Sequence, residues 1–594
     1  MALLDKIFAT GVYQRLLHGG RDYQKRSGRE TSGNRGYLGI NSNPSTVATP
    51  SISLAAGAYQ GLQTTTISCA DAGADIYYTT GGDLDTTNGT LYDGEITLPM
   101  GSTTLTAGAR NLGMNYSALA SSAYSITPGD IAITESLLPF CYLVGVSAES
   151  TGWAYRTVNT CYQSFTVTGN TGTIGTIRVE SDPAVFEVSL SSGSGYGSYV
   201  TNEGLEFPFT VYVRCVREDA GDWESNIMVS APYATTTLIP IEAHTGDGVA
   251  TQAPIALRAQ FIQYAYAWYH RVNLYVDLDM TDAPNTKFET YQNRTEYSPD
   301  IEYFAFNGNM HTISNWTYTI DGADIIDDQL LGGKYTSVTN VILEDVNLVL
   351  RAKDGSNVHA GFLAYHSHLN WMENIWINNG TITLDFQPDV NYDNNIGGVI
   401  AFADKDIFIN VHADVQIVVT ENVTDISTTY LGGFAGQAYL NLDDDEWEGR
   451  IENCSITGSI TIPEDAGVPR CCGGLAGLLT GDVTNTYADF DIDIESELDC
   501  EVGALVGIVC GEGGCSYATT TTNCYASGSV PTGAAGFINS NPTSGDLTTT
   551  DCYFCVATTG SDWSEGTPTA LATEEQFLEQ LQSIGWDASS IMGT

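Results

Sequence analysis

The chain has 594 residues, of which 71 are acidic and 22 are basic, so its formal net charge is −49. This negative field repels phosphate backbones and excludes nucleic-acid binding for the bulk of the chain. Charged residues make up 16% and aromatic residues 10% of the sequence, a composition typical of β-structure with polar turns and not of disorder. No stretch approaches about 18 consecutive apolar residues, so no membrane span is predicted.

The N-terminal segment differs from the rest of the chain in charge and in periodicity. Residues 1–36 contain seven basic and three acidic residues, which leaves −53 for the remainder. Apolar residues recur at helical spacing before Gly19-Gly20, so we expect a short amphipathic helix followed by a basic arm over residues 1–35. The alternative is a frayed, solvated tail, because a lone helix of this length is marginal in water. The residues expected to dock on a partner are Leu4, Phe8, Val12, Leu16, Arg21, Lys25 and Arg26.

A linker over residues 36–50 and a small β-sandwich over residues 51–127 are expected next. Short strands separated by turns follow one another through this region. The stretch Asp75-Ile-Tyr-Tyr-Thr-Thr-Gly-Gly82, followed by Leu91-Tyr-Asp-Gly94, resembles the immunoglobulin-like module found at the C-terminus of chitobiases and hexosaminidases. That module is an accessory domain, so the resemblance implies no hydrolase activity here.

A second sandwich is expected over residues 128–248, followed by a linker over residues 249–261. Its strands include Phe165–Gly169, Val185–Ser189 and Thr210–Arg214. Their order is similar to an immunoglobulin-like repeat of Bacteroidetes surface proteins. Such sandwiches mostly act as spacers, with specific carbohydrate binding as the alternative.

The C-terminal half of the sequence repeats. Short runs of small and apolar residues recur every 30 to 41 residues, which predicts a solenoid of stacked rungs over residues 262–572. The run Gly473-Gly-Leu-Ala-Gly477 and the segment Asn523-Cys-Tyr-Ala-Ser-Gly528 resemble the GLUG repeats of bacterial surface β-helix proteins. We place the starts of the repeats at Ala360, Gly397, Gly432, Gly473, Gly503 and Gly533.

The end of the solenoid needs a cap, because its last strands would otherwise expose unpaired edges. Thr573-Glu-Glu-Gln576 has the pattern of a helix start, and apolar residues follow it at helical spacing. We therefore expect a capping helix over residues 573–584, within a terminal region of residues 573–594.

The sequence contains 13 cysteines, nine of them after residue 450. No histidine lies beyond His412, so a zinc site among the cysteines after residue 450 would need thiolates alone. Buried small apolar thiols, or a few disulfides, are the expectation.

Candidate binding residues are aromatic or acidic. Trp371, Trp376 and Trp447 could stack on sugars, with the alternative that they cover rung turns. Asp443, Asp444, Asp445 and Glu446 offer clustered oxygen ligands for calcium, and Asp277, Asp279 and Asp282 form a second acidic set. For both sets the alternative is a solvated acidic loop, and no other cofactor is expected.

The sequence offers no catalytic motif with the required spacing. It lacks a nucleophile elbow, a zinc-protease helix and a phosphate-binding loop. His359, His366 and His368 lie near one another and are expected to be surface residues of the rungs, with a metal or acid–base role as the alternative.

These observations predict an all-β protein: a short N-terminal helix, two immunoglobulin-like sandwiches and a capped right-handed parallel β-helix. Met1–His18 lacks the apolar core of a secretory leader, which favours assembly inside the cell.

The favoured function is a non-enzymatic structural protein of a phage virion, as a fibre, spike or capsid decoration. Residues 1–35 would dock on other virion proteins, and the solenoid would face outward for adhesion to a host glycan. Self-association is left open. The alternatives are a bacterial cell-surface adhesin and a glycan-degrading tailspike.

Overall fold

The computed structural model describes residues 45–84, 89–144, 162–169, 174–203, 206–246, 253–258, 260–261, 271–289, 304–322, 325–333, 336–441, 449–495, 500–509, 518–540 and 547–583. Over these residues the chain is all-β with two short α-helices, which confirms the predicted fold class. The chain divides into two compact units, with the boundary after Ile126. The helix expected within residues 1–35 lies outside the described residues.

The first unit contains an antiparallel sandwich. Its main sheet has the order β2-β9-β8-β5-β6, and the pairs β1-β4 and β3-β7 form two small further sheets. Leu98, Leu105 and Ala107 are fully buried in its core. The strands are β1 (Ser51–Ile52), β2 (Gly57–Gln60), β3 (Thr64–Thr65), β4 (Ile67–Ser68), β5 (Asp75–Thr79), β6 (Thr90–Leu91), β7 (Ile96–Thr97), β8 (Gly101–Arg110) and β9 (Ala120–Thr127).

The second unit begins with another sandwich, made of the sheets β10-β12-β16-β14 and β11-β18-β17-β13-β15. Side chains of β16 alternate between buried and half-buried positions, as the period-two pattern of its sequence requires. The strands are β10 (Ile131–Ile133), β11 (Phe140–Leu143), β12 (Gln163–Gly169), β13 (Arg178–Glu180), β14 (Phe186–Ser189), β15 (Tyr199–Thr201), β16 (Phe209–Cys215), β17 (Gly221–Ser230) and β18 (Thr237–Gly246).

The rest of the second unit is a parallel β-solenoid. A continuous ladder joins 23 strands from β19 to β49, and a separate sheet has the order β25-β29-β32-β35-β39-β42. The hand of the coil stays a prediction. The first strands are β19 (Ala253–Ile255), β20 (Arg271–Leu274), β21 (Leu278–Asp279), β22 (Phe288–Glu289), β23 (Phe304–Ser314), β24 (Thr317–Asp321), β25 (Ile325–Gln329), β26 (Leu331–Gly332), β27 (Thr336–Glu344), β28 (Asn347–Arg351), β29 (Asn357–Gly361) and β30 (Ala364–His368). The middle strands are β31 (Trp371–Leu384), β32 (Asn394–Gly397), β33 (Ile400–Asp404), β34 (Ile407–Val419), β35 (Thr429–Gly432), β36 (Ala435–Tyr439), β37 (Arg450–Glu452), β38 (Ser455–Ile462), β39 (Cys471–Gly473) and β40 (Ala476–Thr484). The last strands are β41 (Tyr487–Ile494), β42 (Glu501–Gly503), β43 (Val506–Val509), β44 (Thr519–Thr522), β45 (Tyr525–Ser527), β46 (Ile538–Ser540), β47 (Leu547–Thr550), β48 (Tyr553–Cys555) and β49 (Thr569–Leu571).

One corner of the solenoid is built from stacked asparagines. Asn340, Asn374, Asn410, Asn453, Asn485 and Asn523 all have φ between 50° and 55°. Asparagine tolerates this left-handed conformation better than most residues with a side chain. The Asn374 amide donates to Asn340 Oδ1 at 2.9 Å, and the Asn410 amide donates to Asn374 Oδ1 at 3.1 Å. The corner is therefore held by a hydrogen-bond ladder that runs along the stack.

A second corner explains the glycines of the repeats. A Cβ atom on Gly432 would lie 1.8 Å from the carbonyl oxygen of Ala435, and one on Gly473 would lie 2.1 Å from that of Ala476. The chain turns so tightly here that only glycine fits. Paired neighbours on successive rungs are Gly397, Gly432, Gly473 and Gly503.

Two repeats start at positions other than those placed by the sequence. Ala360 pairs with Ile396, so Gly361 and not Ala360 lies at the corner beside Gly397. Ala535, and not Gly533, lies opposite Gly503. The corner position of a repeat is identified by its pairing with the neighbouring rungs, and aligning the repeat sequences does not reveal this pairing.

The second sandwich closes the first rungs of the solenoid. Leu143 of β11 belongs to the solenoid core, and the Gln260 amide donates to the Cys141 carbonyl. The His244 ring stacks on Tyr275 with ring centroids 3.5 Å apart. Strand β19 lies inside the segment expected as a linker, so the ladder begins earlier than residue 262.

The C-terminal helix lies on the side of the solenoid. After α1 (Val556–Thr559), helix α2 spans Glu574–Ser583, inside the segment where a capping helix is predicted. The Thr573 hydroxyl accepts a hydrogen bond from the Gln576 backbone N–H at 3.2 Å, as the start pattern requires. Phe577 and Leu581 pack on the outward tyrosines Tyr487 and Tyr525. The helix therefore covers a lateral face, which differs from the expected cap over the last rung.

The last rung is completed by irregular backbone. The Glu565 N–H donates to the Ile538 carbonyl at 2.8 Å, and the Gly536 N–H donates to the Trp563 carbonyl at 2.9 Å. These bonds satisfy part of the edge left by β46. The ten described cysteines are free thiols, and eight of them are buried.

Candidate functional site

The two described tryptophans of the predicted glycan site lie on different faces. Asn374, with φ of 55°, bends β31 between them. Trp371 is 36% exposed, and its indole N–H donates to Glu373 Oε2 at 2.8 Å. Trp376 is half-buried beside His412, with ring centroids 5.6 Å apart. The pair does not share one stacking surface.

Several predicted site residues lie outside the described residues. They are Trp447, the calcium candidates Asp443, Asp444, Asp445 and Glu446, and the docking residues Leu4, Phe8, Val12, Leu16, Arg21, Lys25 and Arg26. Their roles stay predictions.

Asp277 and Asp279 of the second acidic set serve as cross-rung hydrogen-bond acceptors. Asp277 Oδ1 accepts from the Thr312 N–H at 2.8 Å, and Asp279 Oδ1 accepts from Asn315 Nδ2 at 3.1 Å. Hydrogen bonds from Thr281 and Asn315 lower the pKa of Asp279, the Thr281 hydroxyl having the largest effect. Within the described ranges, no three His, Cys, Asp or Glu side chains are grouped to hold a metal ion. Rung-to-rung hydrogen bonding explains the acidic residues at positions 277 and 279.

An aromatic ladder, defined by His366, Phe402 and Tyr439, runs along the outside of three successive rungs. His366 and Phe402 pack edge to face with centroids 4.7 Å apart, and Phe402 and Tyr439 follow at 5.4 Å. All three side chains are partly exposed. Paired positions on β30 and β33 place His366 next to Phe402, so the spacing of the rungs sets the spacing of the rings.

A seam between two faces of the solenoid borders this ladder. Outward side chains of β35 and β39 meet outward side chains of β40, so that Tyr430, Cys471 and Leu478 form a small cluster separate from the main core. Burial raises the pKa of Tyr430 above its usual range. A Cβ atom on Gly436 would lie 3.0 Å or less from three backbone atoms of neighbouring strands, which shows how closely the two faces approach.

Polar groups flank the ladder. His368 Nδ1 lies 2.7 Å from Asp404 Oδ2, two strand positions beyond the His366–Phe402 pair. Arg470 pairs with Asp393 at 3.2 Å and lies over the Tyr430 ring at 5.3 Å. Asp404 Oδ1 is buried, so Oδ2, which already contacts His368, is the oxygen that can accept a hydrogen bond from an outside hydroxyl group. Stacking rings beside such acceptors form a surface suited to the apolar face and the hydroxyls of a sugar.

Asp406 is the nearest group with the pKa of a general acid. Burial raises its pKa to about 7, against hydrogen bonds from the Ser367 hydroxyl and from the Asn370 and Asp404 N–H groups. Its side chain is fully buried. A carboxyl group enclosed in this way holds the strand ends together and does not reach a substrate.

Sequence reasoning singled out one of the three ladder residues, His366, and missed the other two. His366 and His368 were singled out, but Phe402 and Tyr439 lie one and two rungs further along. His366 and Phe402 are 36 residues apart and pair directly, whereas Tyr439 pairs with Asp404 and reaches Phe402 diagonally. An aromatic or histidine residue near the same position of successive repeats is the signal that could have found them.

Two known domain families match parts of the chain. Residues 54–121 match the chitobiase/beta-hexosaminidase C-terminal domain, and residues 427–461 match the GLUG motif. Both resemblances predicted from the sequence are thereby confirmed. The first match covers strands β2 to β8, and the second covers the glycine corner of β35 and β36 and the strand β38.

Solved structures show only remote likeness. Fibronectin(III)-like modules of CbhA from Clostridium thermocellum are 13% identical, with a TM-score of 0.16, and cover 33% of this chain and 94% of theirs. An IgA1 protease is 14% identical, with a TM-score of 0.30, and the match covers 64% of this chain and 29% of the protease. A β-glycosidase from Bacteroides vulgatus is 10% identical, with a TM-score of 0.11, covering 33% and 24%.

A sequence search of curated proteins found no match. Among the described residues, no helix has both the length and the apolar character needed to cross a membrane. The matched domains are not catalytic. The chain is thus a β-rich protein of immunoglobulin-like and GLUG domains, a combination that indicates an extracellular or surface protein.

Proposed function

We propose that this chain is a non-enzymatic structural protein of a phage virion, as a fibre, spike or capsid decoration. In this proposal residues 1–35 attach the chain to other virion proteins, and the solenoid displays a binding surface for a neutral host glycan. The observation that carries the proposal is the aromatic ladder, because three partly exposed rings on successive rungs pack against one another.

The ladder favours sugars over other ligands on grounds of charge. A net charge of −49 disfavours nucleic acids and acidic polysaccharides. Sugar rings offer an apolar face that stacks on aromatic side chains, and their hydroxyls donate to acceptors such as Asp404. Repetition along the solenoid suits a repeating polymer better than a single small molecule.

The chemistry around the ladder supports glycan binding without cleavage of the glycan. Hydrolysis of a glycosidic bond needs a carboxylic acid that donates its proton to the leaving group. Asp406 has the pKa for this role, but it is fully buried. The His368–Asp404 pair links two strands and provides acceptors.

Attachment through the N-terminus is supported by charge asymmetry. Residues 1–36 carry an excess of four positive charges, whereas the remainder carries −53. A basic segment with apolar residues at helical spacing suits a partner surface that is acidic and grooved. Deleting residues 1–35 tests this: we expect the truncated protein to be missing from particles, and normal copy number would contradict the role.

Glycan binding is tested by retention on polysaccharides from candidate hosts. Phe402→Ala removes the central ring, and we expect retention to fall at least tenfold. Tyr392→Ala is a matched control, because Tyr392 is 59% exposed and lies outside the ladder. Equal retention of wild type and Phe402→Ala would contradict the ladder's role, and a loss in Trp371→Ala alone would move the site to that tryptophan.

A bacterial cell-surface adhesin is the second candidate, favoured by the GLUG match over residues 427–461. It uses the same ladder but a different attachment. Immunogold labelling of infected cultures separates the two, because the virion role predicts label on purified particles and the adhesin role predicts label on uninfected cells.

A further inference from the structure

The first sandwich contains a cavity on the outer face of its five-stranded sheet. Its volume is about 280 Å³, and its lining includes Tyr77, Leu84, Arg110, Tyr116 and Leu119. Tyr77 of β5 lies opposite Gly108 of β8, and a Cβ atom on Gly108 would come within 2.9 Å of Leu119. Because Gly108 has no side chain, Leu119 and Leu84 pack directly over it, and both leucines line the cavity.

The walls are apolar and open to solvent. Leu119 is 54% exposed and Tyr116 is 58% exposed, and Leu91, which lies opposite Tyr77 on β6, is 53% exposed. Exposed apolar groups gathered around a concave site mark a place where another apolar group is buried.

The cavity also contains a positive charge. Positions 51–127 contain six acidic residues and one basic residue, Arg110. Its guanidinium lies 4.6 Å above the Tyr77 ring and 3.8 Å from Asp75 Oδ2, and Asp75 is 60% exposed. The Tyr77 hydroxyl accepts a hydrogen bond from the same guanidinium. Arg110 is itself 47% exposed, so it can turn donors toward an incoming anion.

We propose that this cavity binds a polypeptide segment that packs an apolar side chain against Leu84 and Leu119 and places its C-terminal carboxylate on Arg110. N-acetyl-L-leucine imitates such a C-terminal residue. A sugar fits this lining less well, because its hydroxyls would face leucines and lose hydrogen bonds to water. The Ser117 hydroxyl is already used, since it accepts from the Ala109 N–H and donates to the Ala118 carbonyl.

The site is independent of the glycan proposal, because it lies in the other compact unit. An apolar anchor residue beside one charge-assisted hydrogen bond is typical of protein–protein interfaces. The structure thus assigns a protein-binding role to the first sandwich.

N-acetyl-L-leucine is the simplest probe, because it combines an isobutyl side chain with a carboxylate. Binding to the full chain is measured by saturation-transfer NMR and compared with N-acetyl-L-leucinamide, N-acetylglycine and D-glucuronate. We expect N-acetyl-L-leucine to bind at least tenfold more tightly than each of the other three. Equal binding of the acid and its amide would refute the role of Arg110, and tighter binding of glucuronate would show a sugar site.

Variants separate the site from general surface effects. Arg110→Gln removes the charge and Leu119→Gln removes one wall, and we expect each to weaken binding of N-acetyl-L-leucine at least tenfold with an unchanged melting temperature. Arg178→Gln is the matched control, because Arg178 also lies over a tyrosine ring, at 3.6 Å from Tyr199, but in the second sandwich. Binding that survives both cavity variants would overturn the proposal.

Discussion

Tyr525 and Tyr553 stack face to face on neighbouring rungs, with ring centroids 5.6 Å apart and planes inclined by 5°. Phe577 of α2 lies against this stack, 6.3 Å from Tyr525 and 6.3 Å from Tyr487. Outward-facing tyrosines would leave an apolar strip on the last rungs, and the helix buries it. The C-terminal segment is therefore part of the solenoid wall.

This packing predicts that Phe577 stabilises the last rungs. Phe577→Ala should lower the local free energy of unfolding by about 3 kcal/mol, because it removes a fully buried aromatic side chain. Hydrogen exchange of strands β44 to β48 should accelerate, while exchange in β27 to β34 should not change. Glu579→Ala, on the exposed side of the helix, is the control, and equal exchange in both variants would contradict the packing.

The glycine corner predicts that Gly432 has no substitute. Gly432→Ala should destabilise the solenoid by about 3 kcal/mol or more, because the new methyl group meets the Ala435 carbonyl. Chemical denaturation followed by circular dichroism measures the change. Gly193→Ala, at a position with open space around it, should change stability by less than about 1 kcal/mol. Similar effects of the two substitutions would show that the corner is not tight.

The asparagine ladder predicts a graded response at position 374. Asn374→Ala should cost about 2–3 kcal/mol, because it breaks two hydrogen bonds and puts an ordinary side chain at positive φ. Asn374→Gly should cost less, since glycine accepts this conformation and only the bonds are lost. Thermal unfolding of both variants checks the order, and a more stable alanine variant would contradict it.

Asp406 predicts a pH-dependent difference in stability. The folded state holds its proton with a pKa of about 7, above the ordinary value of 3.8, so folding favours the protonated form. The contribution of protonated Asp406 to the free energy of unfolding is fully present below about pH 4. It is lost as the pH rises toward 7, by up to about 4 kcal/mol.

Asp406→Asn imitates the protonated carboxyl group and should be insensitive to this loss. The free energy of unfolding of wild type relative to the variant should therefore fall between pH 4 and pH 8. Asp414→Asn, at an exposed position, is the control. A difference that stays constant with pH would show that Asp406 keeps an ordinary pKa.

Local patterns in the sequence predict the all-β class and the stacked rungs, because alternation and the glycine repeat are visible residue by residue. The register at Gly361 and Ala535 was not predictable, since it depends on a contact between the corner and a carbonyl that sequence letters do not encode. The sequence also did not predict the side of the solenoid on which α2 packs. It depends on Tyr487 and Tyr525 pointing outward, which the spacing of the repeats does not specify.

In the candidate site, too, some residues were predictable from the sequence and others were not. His366 was visible as a histidine near others, but the ladder depends on rungs that bring Phe402 and Tyr439 beside it across 36 and 37 residues. Closure of the first rungs by Leu143 and Gln260 likewise joins segments that are far apart in the chain. Contacts of this kind need the folded backbone, because no local rule connects their members.

The chain length of a host polysaccharide after incubation with the purified protein tests the central claim most directly. Size-exclusion chromatography with light scattering reports both binding and cleavage in one experiment. Our account predicts that the polysaccharide elutes with the protein and keeps its full length. Shortened chains, produced by wild type and lost in a variant of the ladder, would show that the solenoid is an enzyme.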